Sequence, residues 1–306
     1  MVQGSVIGPM LFNIFINDVT SHVDRNTTMK LFADDIKIYT DLPNISPTNL
    51  QTQLNNIHQW SSTWQMQISY SKCNIVHIGS SNSTLNLHIN NIPITQVGSV
   101  VDLGVTIDEH LRFKIHINTI IGKANQRSAL IKRCFLSRNA TNLMRAYKTY
   151  VRPTLEYAST TWSPSYITQI IQMESVQRHF TKIINGHQHL SYEDRLKSLK
   201  LQSLEHRRLI ADLIMCYKII RGHSCIESSS FFTPNRNTSS RGHPYRLSVP
   251  LANINVRNHF FSNRIISVWN SLPTELVMSN STASFKYHLR KTDLSKFLIF
   301  ATYMPN

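Results

Sequence analysis

Two neighbouring aspartates, Asp34 and Asp35, are the residues whose type and spacing most directly suggest chemistry. Adjacent carboxylates repel each other unless a cation lies with them. Their hard oxygen atoms suit Mg²⁺, which proteins typically hold with one or two carboxylates and the phosphates of a substrate. The pair therefore indicates a divalent-metal site for phosphate chemistry or, as the plainer alternative, a polar surface turn.

The segments around the pair predict the element that would present it. Residues 29–33 and 36–40 alternate in polarity and are rich in β-forming residues, so we expect a β-hairpin with both aspartates at its tip. Upstream, Gly8 and Pro9 open an apolar run that predicts a buried helix over residues 10–16.

The rest of the chain divides into a mixed part and a helical part. Ser46 and Pro47 start a helix with apolar residues at Leu50, Leu54, Ile57, Trp60 and Trp64. Strand-like segments are predicted at residues 66–69, 74–78, 85–89 and 100–107. Amphipathic helices are predicted at residues 117–136, 142–151, 167–184 and 204–220, and helical patches at residues 259–269 and 285–289. Ser191 and Asp194 form a capping box for one more helix.

Charge is distributed unevenly along the 306 residues. The net charge of +15 arises from 32 Lys and Arg against 17 Asp and Glu, and the pI is near 9.9. Residues 1–110 carry a net charge of −4 and the remainder +19, and residues 112–152 hold ten basic side chains and no carboxylate. The like charges of residues 112–152 repel one another, and a polyanion such as nucleic acid would neutralise that repulsion. A solvated basic face is the simpler interpretation.

Composition limits the class of protein. Hydrophobic residues make up 41% of the chain, mean hydropathy is −0.21, and no run of 18 apolar residues or basic leader occurs. We therefore expect no membrane span and no secretion signal. The four cysteines lack the C-x2-C spacing of zinc sites, so we expect reduced thiols in an intracellular protein. His187 and His189 have no cysteine pair beside them, so solvated loop histidines are the simpler interpretation.

The order of the motifs resembles the reverse transcriptase of non-LTR, LINE- or jockey-like retrotransposons. Residues 2–18, VQGSVIGPMLFNIFIND, are similar to that family's PQGS-x-x-GP-x-LF-x-x-x-IND block, and residues 32–35 match its FADD box. Residues 64–73, WQMQISYSKC, resemble the next block, and residues 101–108, VDLGVTID, resemble the strands that grip the primer end. Phrases of the family's C-terminal region recur as VRPTLEYAS, VQR, SYEDRL and WNSLP, starting at residues 151, 176, 191 and 269.

The resemblance implies an α+β fold with four parts. Residues 1–118 would form a partial polymerase palm, in which a hairpin-bearing antiparallel sheet packs with helices. Residues 119–222 would form a mostly α-helical thumb-like region. Residues 223–250 would be a polar linker, and residues 251–306 a small C-terminal helical region.

The family also implies an activity, its cofactors and its partners. The enzyme would use deoxynucleoside triphosphates to extend a DNA primer along an RNA template. Two Mg²⁺ ions would serve as its cofactors. Asp34 and Asp35 would be the catalytic metal ligands, Asp34 the stronger, and Lys72 would protonate pyrophosphate or be a surface lysine. Gln3 and Gly4 would lie near template and nucleotide, and Leu103 with Gly104 at the primer end or simply in a turn. Phosphate contacts would come from Lys123, Arg127, Lys132, Arg133, Arg138, Arg145 and Lys148. Such a protein would work in the nucleus or cytoplasm, away from membranes.

Three departures from the family bear on activity. The polymerase site needs another aspartate from a block that precedes Gln3, and this sequence does not contain that block; Asp18 belongs to the IND phrase. Val2 replaces the family's proline. The fingers and an upstream endonuclease domain are also missing. We therefore expect the chain alone to be inactive, and the alternatives are a non-catalytic nucleic-acid-binding relic or a decaying reading frame.

Overall fold

The computed structural model describes residues 4–41, 46–79, 85–235 and 242–300, which divide into two units, residues 1–100 and 101–306. Helices and short strands mix in an α+β arrangement. The helices are α1 (Gly8–Asn17), α2 (Pro47–Thr63), α3 (Lys114–Cys134), α4 (Ala140–Ala146), α5 (Arg152–Glu156), α6 (Ser159–Trp162), α7 (Ile167–Lys182), α8 (Tyr192–Ser198), α9 (Leu204–Ile220), α10 (Asn255–His259), α11 (Phe261–Arg264), α12 (Ile266–Asn270), α13 (Thr274–Val277) and α14 (Thr282–Leu289). The strands are β1 (Thr27–Phe32), β2 (Asp35–Thr40), β3 (Asn74–Ile75), β4 (His88–Ile89), β5 (Ile92–Pro93), β6 (Thr95–Gln96), β7 (Ser99–Asp102) and β8 (Val105–Asp108).

The antiparallel β1–β2 hairpin of the first unit confirms the hairpin predicted from the alternating residues, but its turn is Ala33–Asp34, one residue earlier than predicted, and Asp35 begins β2. Met29 pairs with Ile38 and Leu31 with Ile36. Because side chains two residues apart share one face of a strand, these four pack together on a core that includes Trp60 of α2. The hairpin is therefore held to the rest of the unit by one apolar face.

Helix α1 forms where Gly8 and Pro9 predict it, but the expectation that it is buried is wrong. Only Ile16 of this helix is buried, whereas Met10 and Ile14 are each 69% exposed. A helix buries only the stripe that meets a neighbour, and here that stripe faces the core of the hairpin and α2. The other stripe is apolar and exposed.

The strands after α2 are shorter than the sequence predicts. They pair only as two-stranded ladders, β3 with β6 in parallel, β4 with β5, and β7 with β8. Residues 66–69 form no strand, because they close the end of α2 instead. Gln65 adopts a left-handed φ of 55°, and the Met66 N–H donates to the Ser61 carbonyl at 2.8 Å. This is the hydrogen-bonded helix ending that a left-handed residue allows.

Helices dominate the second unit, and those predicted at residues 117–136, 167–184, 204–220 and 285–289 are confirmed. The helix predicted at residues 142–151 ends in a π-helical turn, and the patch at residues 259–269 divides into short helices. Ile117 of α3 and Met173 and Phe180 of α7 are fully buried in one core, which Val105 of β8 also enters. The hairpin β7–β8 therefore leads into the helical unit, and residue 118 lies inside α3. Ser191 accepts a hydrogen bond from the Asp194 N–H at 3.1 Å, which confirms the predicted cap of α8.

A second core lies in the C-terminal part of the same unit. Tyr217 of α9 stacks on Phe285 of α14 with ring centroids 4.2 Å apart, and Trp269 is fully buried beside them. Phe232 and Leu247, from the segment that the sequence pattern suggests is a linker, are buried in this core too. Of the helices in the described residues, none has the length and apolarity needed to cross a bilayer.

Candidate active site and nucleic-acid interface

The tip of the β1–β2 hairpin carries the two aspartates. Phe32 pairs with Asp35 across the strands, so Ala33 and Asp34 form a two-residue turn. Both aspartates are exposed, and neither carboxylate has a hydrogen bond or ion pair to another described residue. Ala33 has a φ of 51°, a left-handed conformation that costs a non-glycine residue about 1–2 kcal/mol. The tip thus offers two adjacent carboxylates that no described side chain satisfies.

A third acid, Asp24, ties the hairpin to α2, and the sequence pattern gives no sign of this role. Its Oδ1 accepts a hydrogen bond from Gln53 Nε2 at 2.8 Å, and its Oδ2 accepts one from Asn49 Nδ2 at 2.9 Å. Its backbone carbonyl accepts the Thr27 N–H at 3.0 Å, where β1 begins. An Asp three residues before a strand signals a turn, but nothing in the local sequence names its partners on a later helix.

We expect Asp24→Ala to loosen the hairpin. The loss of the hydrogen bonds that this carboxylate accepts from Gln53, Asn49 and, at 3.4 Å, the Thr27 hydroxyl should lower hydrogen-exchange protection of residues 27–40 about tenfold, which corresponds to about 1.4 kcal/mol. The exposed neighbour Arg25 serves as the control, because Arg25→Ala removes a charge without a described hydrogen bond. Equal protection in both variants would show that Asp24 does not anchor the hairpin.

The other site residues predicted in the described part of the first unit, Gly4 and Lys72, are exposed and have no described hydrogen bond or ion pair with the aspartate pair. Gly4 is exposed with a φ of 90°, a conformation that favours glycine, although a Cβ at this position would meet nothing within 4 Å. Lys72 is exposed at the end of a 3-10 turn, and no hydrogen bond or ion pair among the described residues joins it to Asp34 or Asp35. Gln3 and Val2 lie outside the described residues.

The turn between β7 and β8 contains the other predicted pair, Leu103 and Gly104. Both have left-handed φ values, 45° and 82°, as in the tight turns that match the twist of a two-stranded hairpin. Val105, at the start of β8, is buried, and the Tyr157 hydroxyl donates to the Leu103 carbonyl at 2.9 Å. The turn formed by Leu103 and Gly104 is therefore held in place by its contacts within the second unit.

Most of the predicted phosphate contacts lie on the outside of the second unit. Helix α3 buries Ile117, Ala124 and Ile131, and its cations are on the remaining surface. The exposed cations are Lys123, Arg127, Arg133, Arg145 and Lys148, and the half-buried ones are Lys132 and Arg138. The basic run is therefore largely available to an anion.

Arg127 also has a structural contact that the sequence does not predict. Its Nη1 donates to the Tyr150 carbonyl at 3.0 Å and to the Thr154 hydroxyl. Tyr150 lies in a π-helical turn, Tyr147–Val151, between α4 and α5, just before Pro153. π-Helical turns often occur at functional sites. In this one, Arg127 donates a hydrogen bond to the carbonyl of Tyr150.

The aspartate pair is the metal site that the sequence predicts. The described ranges contain no group of three or more His, Cys, Asp or Glu that could hold a metal ion. His187 contacts the Asn185 carbonyl through Nδ1 at 2.9 Å and the Ser198 hydroxyl through Nε2 at 3.0 Å, and His189 is exposed. Asp34 and Asp35 therefore stay the candidate ligands, with the donor type and number that Mg²⁺ accepts from a protein.

Comparison with known proteins agrees with the motif order. Residues 1–124 match the family "Reverse transcriptase (RNA-dependent DNA polymerase)". The chain is 25% identical over 196 residues to the "RNA-directed DNA polymerase from mobile element jockey" of Drosophila melanogaster, which covers 60% of this chain and 21% of that protein. The jockey polymerase of Drosophila funebris is 26% identical over 196 residues, with the same 60% and 21% coverage.

A third relative, the "Probable RNA-directed DNA polymerase from transposon X-element" of Drosophila melanogaster, is 24% identical over 195 residues, covering 60% of this chain and 21% of the relative. The chain thus spans about a fifth of the length of these curated relatives. No solved structure matches it. Residues 1–124, less than half of the chain, are thus similar to the reverse transcriptase family, and these three relatives are polymerases named for mobile elements.

Proposed function

We propose that this chain is the part of an RNA-directed DNA polymerase that carries the paired aspartates and the helices that hold nucleic acid. In this proposal the first unit is part of a polymerase palm and the helices from α3 onward are its thumb and C-terminal region. The observation that carries the proposal is the exposed, unsatisfied carboxylate pair on a two-residue hairpin turn, inside the segment that matches the reverse transcriptase family.

Asp34 and Asp35 are the residues that would hold Mg²⁺. When bound, two such ions stabilise the attacking and leaving oxygens of an in-line phosphoryl displacement. Asp34, within the turn, is the stronger ligand, and Asp35, which is paired in β2, supports it. Lys72 gives a proton to the departing pyrophosphate. The packing of the hairpin on α2 holds the turn that carries the two aspartates.

The remaining predicted residues bind the substrates. Gln3 and Gly4 lie near the RNA template and the incoming deoxynucleoside triphosphate, where a glycine lets the backbone approach closely. Leu103 and Gly104 contact the end of the DNA primer. The cations of α3, α4 and their connecting segments bind phosphates of the template–primer duplex, which gives affinity without sequence choice.

The chain by itself should not polymerise, because the described residues supply two carboxylates and no third ligand to complete the site. The test is primer extension on poly(rA)/oligo(dT) with Mg²⁺ and labelled dTTP. We expect the same background incorporation from the wild-type chain and from Asp34→Asn. Robust incorporation that Asp34→Asn abolishes would refute the inactivity of the isolated chain while supporting the role of Asp34.

A second candidate function is non-catalytic binding of nucleic acid. The observation that favours it is the run of ten cations and no carboxylate at residues 112–152, whose side chains lie mainly on the surface. Under this alternative, the chain binds a duplex with equal affinity in Mg²⁺ and in EDTA, and the hairpin tip binds no metal. Metal binding at the tip would decide for the polymerase fragment.

A further inference from the structure

The Leu103–Gly104 turn is held from outside its own hairpin. The Tyr157 hydroxyl donates to the Leu103 carbonyl at 2.9 Å, across a separation of 54 residues in the chain. A Cβ placed on Gly104 would lie 3.5 Å from Cε1 of the Tyr157 ring, so the ring also packs against the turn. We propose that Tyr157 is a positioning residue that orients the Leu103–Gly104 turn toward the recessed 3′ end of a primer. This inference rests on the proposed function.

The turn needs an external support for physical reasons. Leu103 is a non-glycine residue at a left-handed φ of 45°, a conformation that persists only where the surroundings fix it. Its two strands are four residues long each, and such a short hairpin is marginal alone. A hydrogen bond to the carbonyl of the strained residue favours this one conformation of the turn.

Tyr157 is itself held firmly enough to serve as that support. Its N–H donates to the Pro153 carbonyl at 3.0 Å, and its carbonyl accepts from Trp162 Nε1 at 2.8 Å. Trp162 is 1% exposed, and Leu155, two residues before Tyr157, is fully buried. The backbone of Tyr157 is therefore attached to the helical core from both sides.

The side chains around the turn favour a nucleotide end over a phosphate. Tyr157 is 59% exposed, Val101 68% and Leu103 39%, so the surface at the turn is apolar and aromatic. Bases and sugars stack on and pack against such side chains, whereas phosphates require the cations that lie on α3 and α4. The turn thus fits the terminal nucleotide of a recessed end.

The test compares two duplexes that differ only in their ends. The full chain is titrated with a blunt RNA–DNA hybrid and with one of equal duplex length that has a recessed DNA 3′ end and an RNA overhang. We expect wild type to prefer the recessed end and Tyr157→Phe to lose about fivefold of that preference, the factor for one net hydrogen bond. Tyr166→Phe, which alters another exposed tyrosine outside this surface, should keep the preference.

Each other outcome contradicts a defined part of the account. If Tyr157→Phe keeps the full preference, or weakens both duplexes equally, Tyr157 does not position the turn. If wild type binds both ends equally with strong salt dependence, the role of Tyr157 is wrong and the proposed function stands. If wild type binds neither duplex, the proposed function fails and the role of Tyr157 fails with it.

Discussion

The affinity of the chain for a template–primer duplex is expected to fall steeply as salt concentration rises. Each phosphate that a Lys or Arg neutralises releases counterions and adds about −0.9 to the slope of log K against log salt. Seven candidate cations predict a slope of about −6, which is a loss of roughly 4,000- to 6,000-fold in affinity between about 50 and 200 mM salt.

The structure explains why this effect should come from the outer side of α3 and α4. The apolar stripe of α3 is buried against α7, so Lys123 and Arg133 stay exposed and have no carboxylate nearby in sequence. The double variant Lys123→Gln with Arg133→Gln removes two phosphate contacts, so the slope of log K against log salt should become less negative by about 1.8.

Fluorescence anisotropy across this salt range measures the slope directly. The control is Lys286→Gln with Arg290→Gln, which removes the same charge from the exposed surface around α14. It should leave the slope close to that of wild type. A wild-type slope near zero, or equal slopes in the two double variants, would contradict binding by the basic helices.

Arg264→Met is expected to destabilise the second unit by about 3–5 kcal/mol, the cost of leaving a buried charge without its partner. Arg264 donates from Nε to Asp212 Oδ2 at 2.9 Å and from Nη2 to Asp212 Oδ1 at 3.0 Å. Asp212 is 3% exposed, and burial raises the pKa of its carboxyl even though Arg264 opposes that shift. Arg264 also donates to the Thr160 carbonyl at 2.8 Å, so it links α6, α9 and α11.

Denaturant unfolding followed by the buried Trp162 and Trp269 tests this prediction. Arg290→Met, at an exposed arginine just after α14, is the matched control and should change stability by less than about 0.5 kcal/mol. The double variant Asp212→Leu with Arg264→Met should recover part of the loss, because the buried carboxylate is removed together with its hydrogen-bonded partner, while Arg208 keeps Glu174 and Glu205 as opposite charges. A loss below about 1 kcal/mol in Arg264→Met would show that the pair does not stabilise the fold.

Local sequence patterns predicted the elements well wherever a single period dominated. The alternation around Asp34 and Asp35 indicated the hairpin and its tip, because burial of one face fixes which residues point inward. The apolar stripe of α2 and the cap at Ser46 placed that helix, and Ser46 accepts the Asn49 N–H at 3.1 Å. Helix α9 spans the predicted residues 204–220.

The sequence could not predict contacts between distant residues. Asp24 meets Gln53, and Tyr157 meets Leu103, through side chains whose partners no local pattern identifies. The π-helical turn before Pro153 was predicted as ordinary helix, because its apolar spacing resembles that of an α-helix. Each contact holds a segment that carries candidate residues within its own unit, so the sequence indicated those residues but not the side chains that hold them.

The most direct test of the central claim is metal binding at the hairpin tip. Mn²⁺, used as a paramagnetic substitute for Mg²⁺, is added to the chain bound to template–primer, and broadening of amide resonances is measured. We predict the strongest broadening at residues 33–36, its loss in Asp34→Asn with Asp35→Asn, and its retention in the nearby control Asp41→Asn. Broadening that is absent from the tip, or unchanged in the double variant, would contradict the assignment of these aspartates as metal ligands.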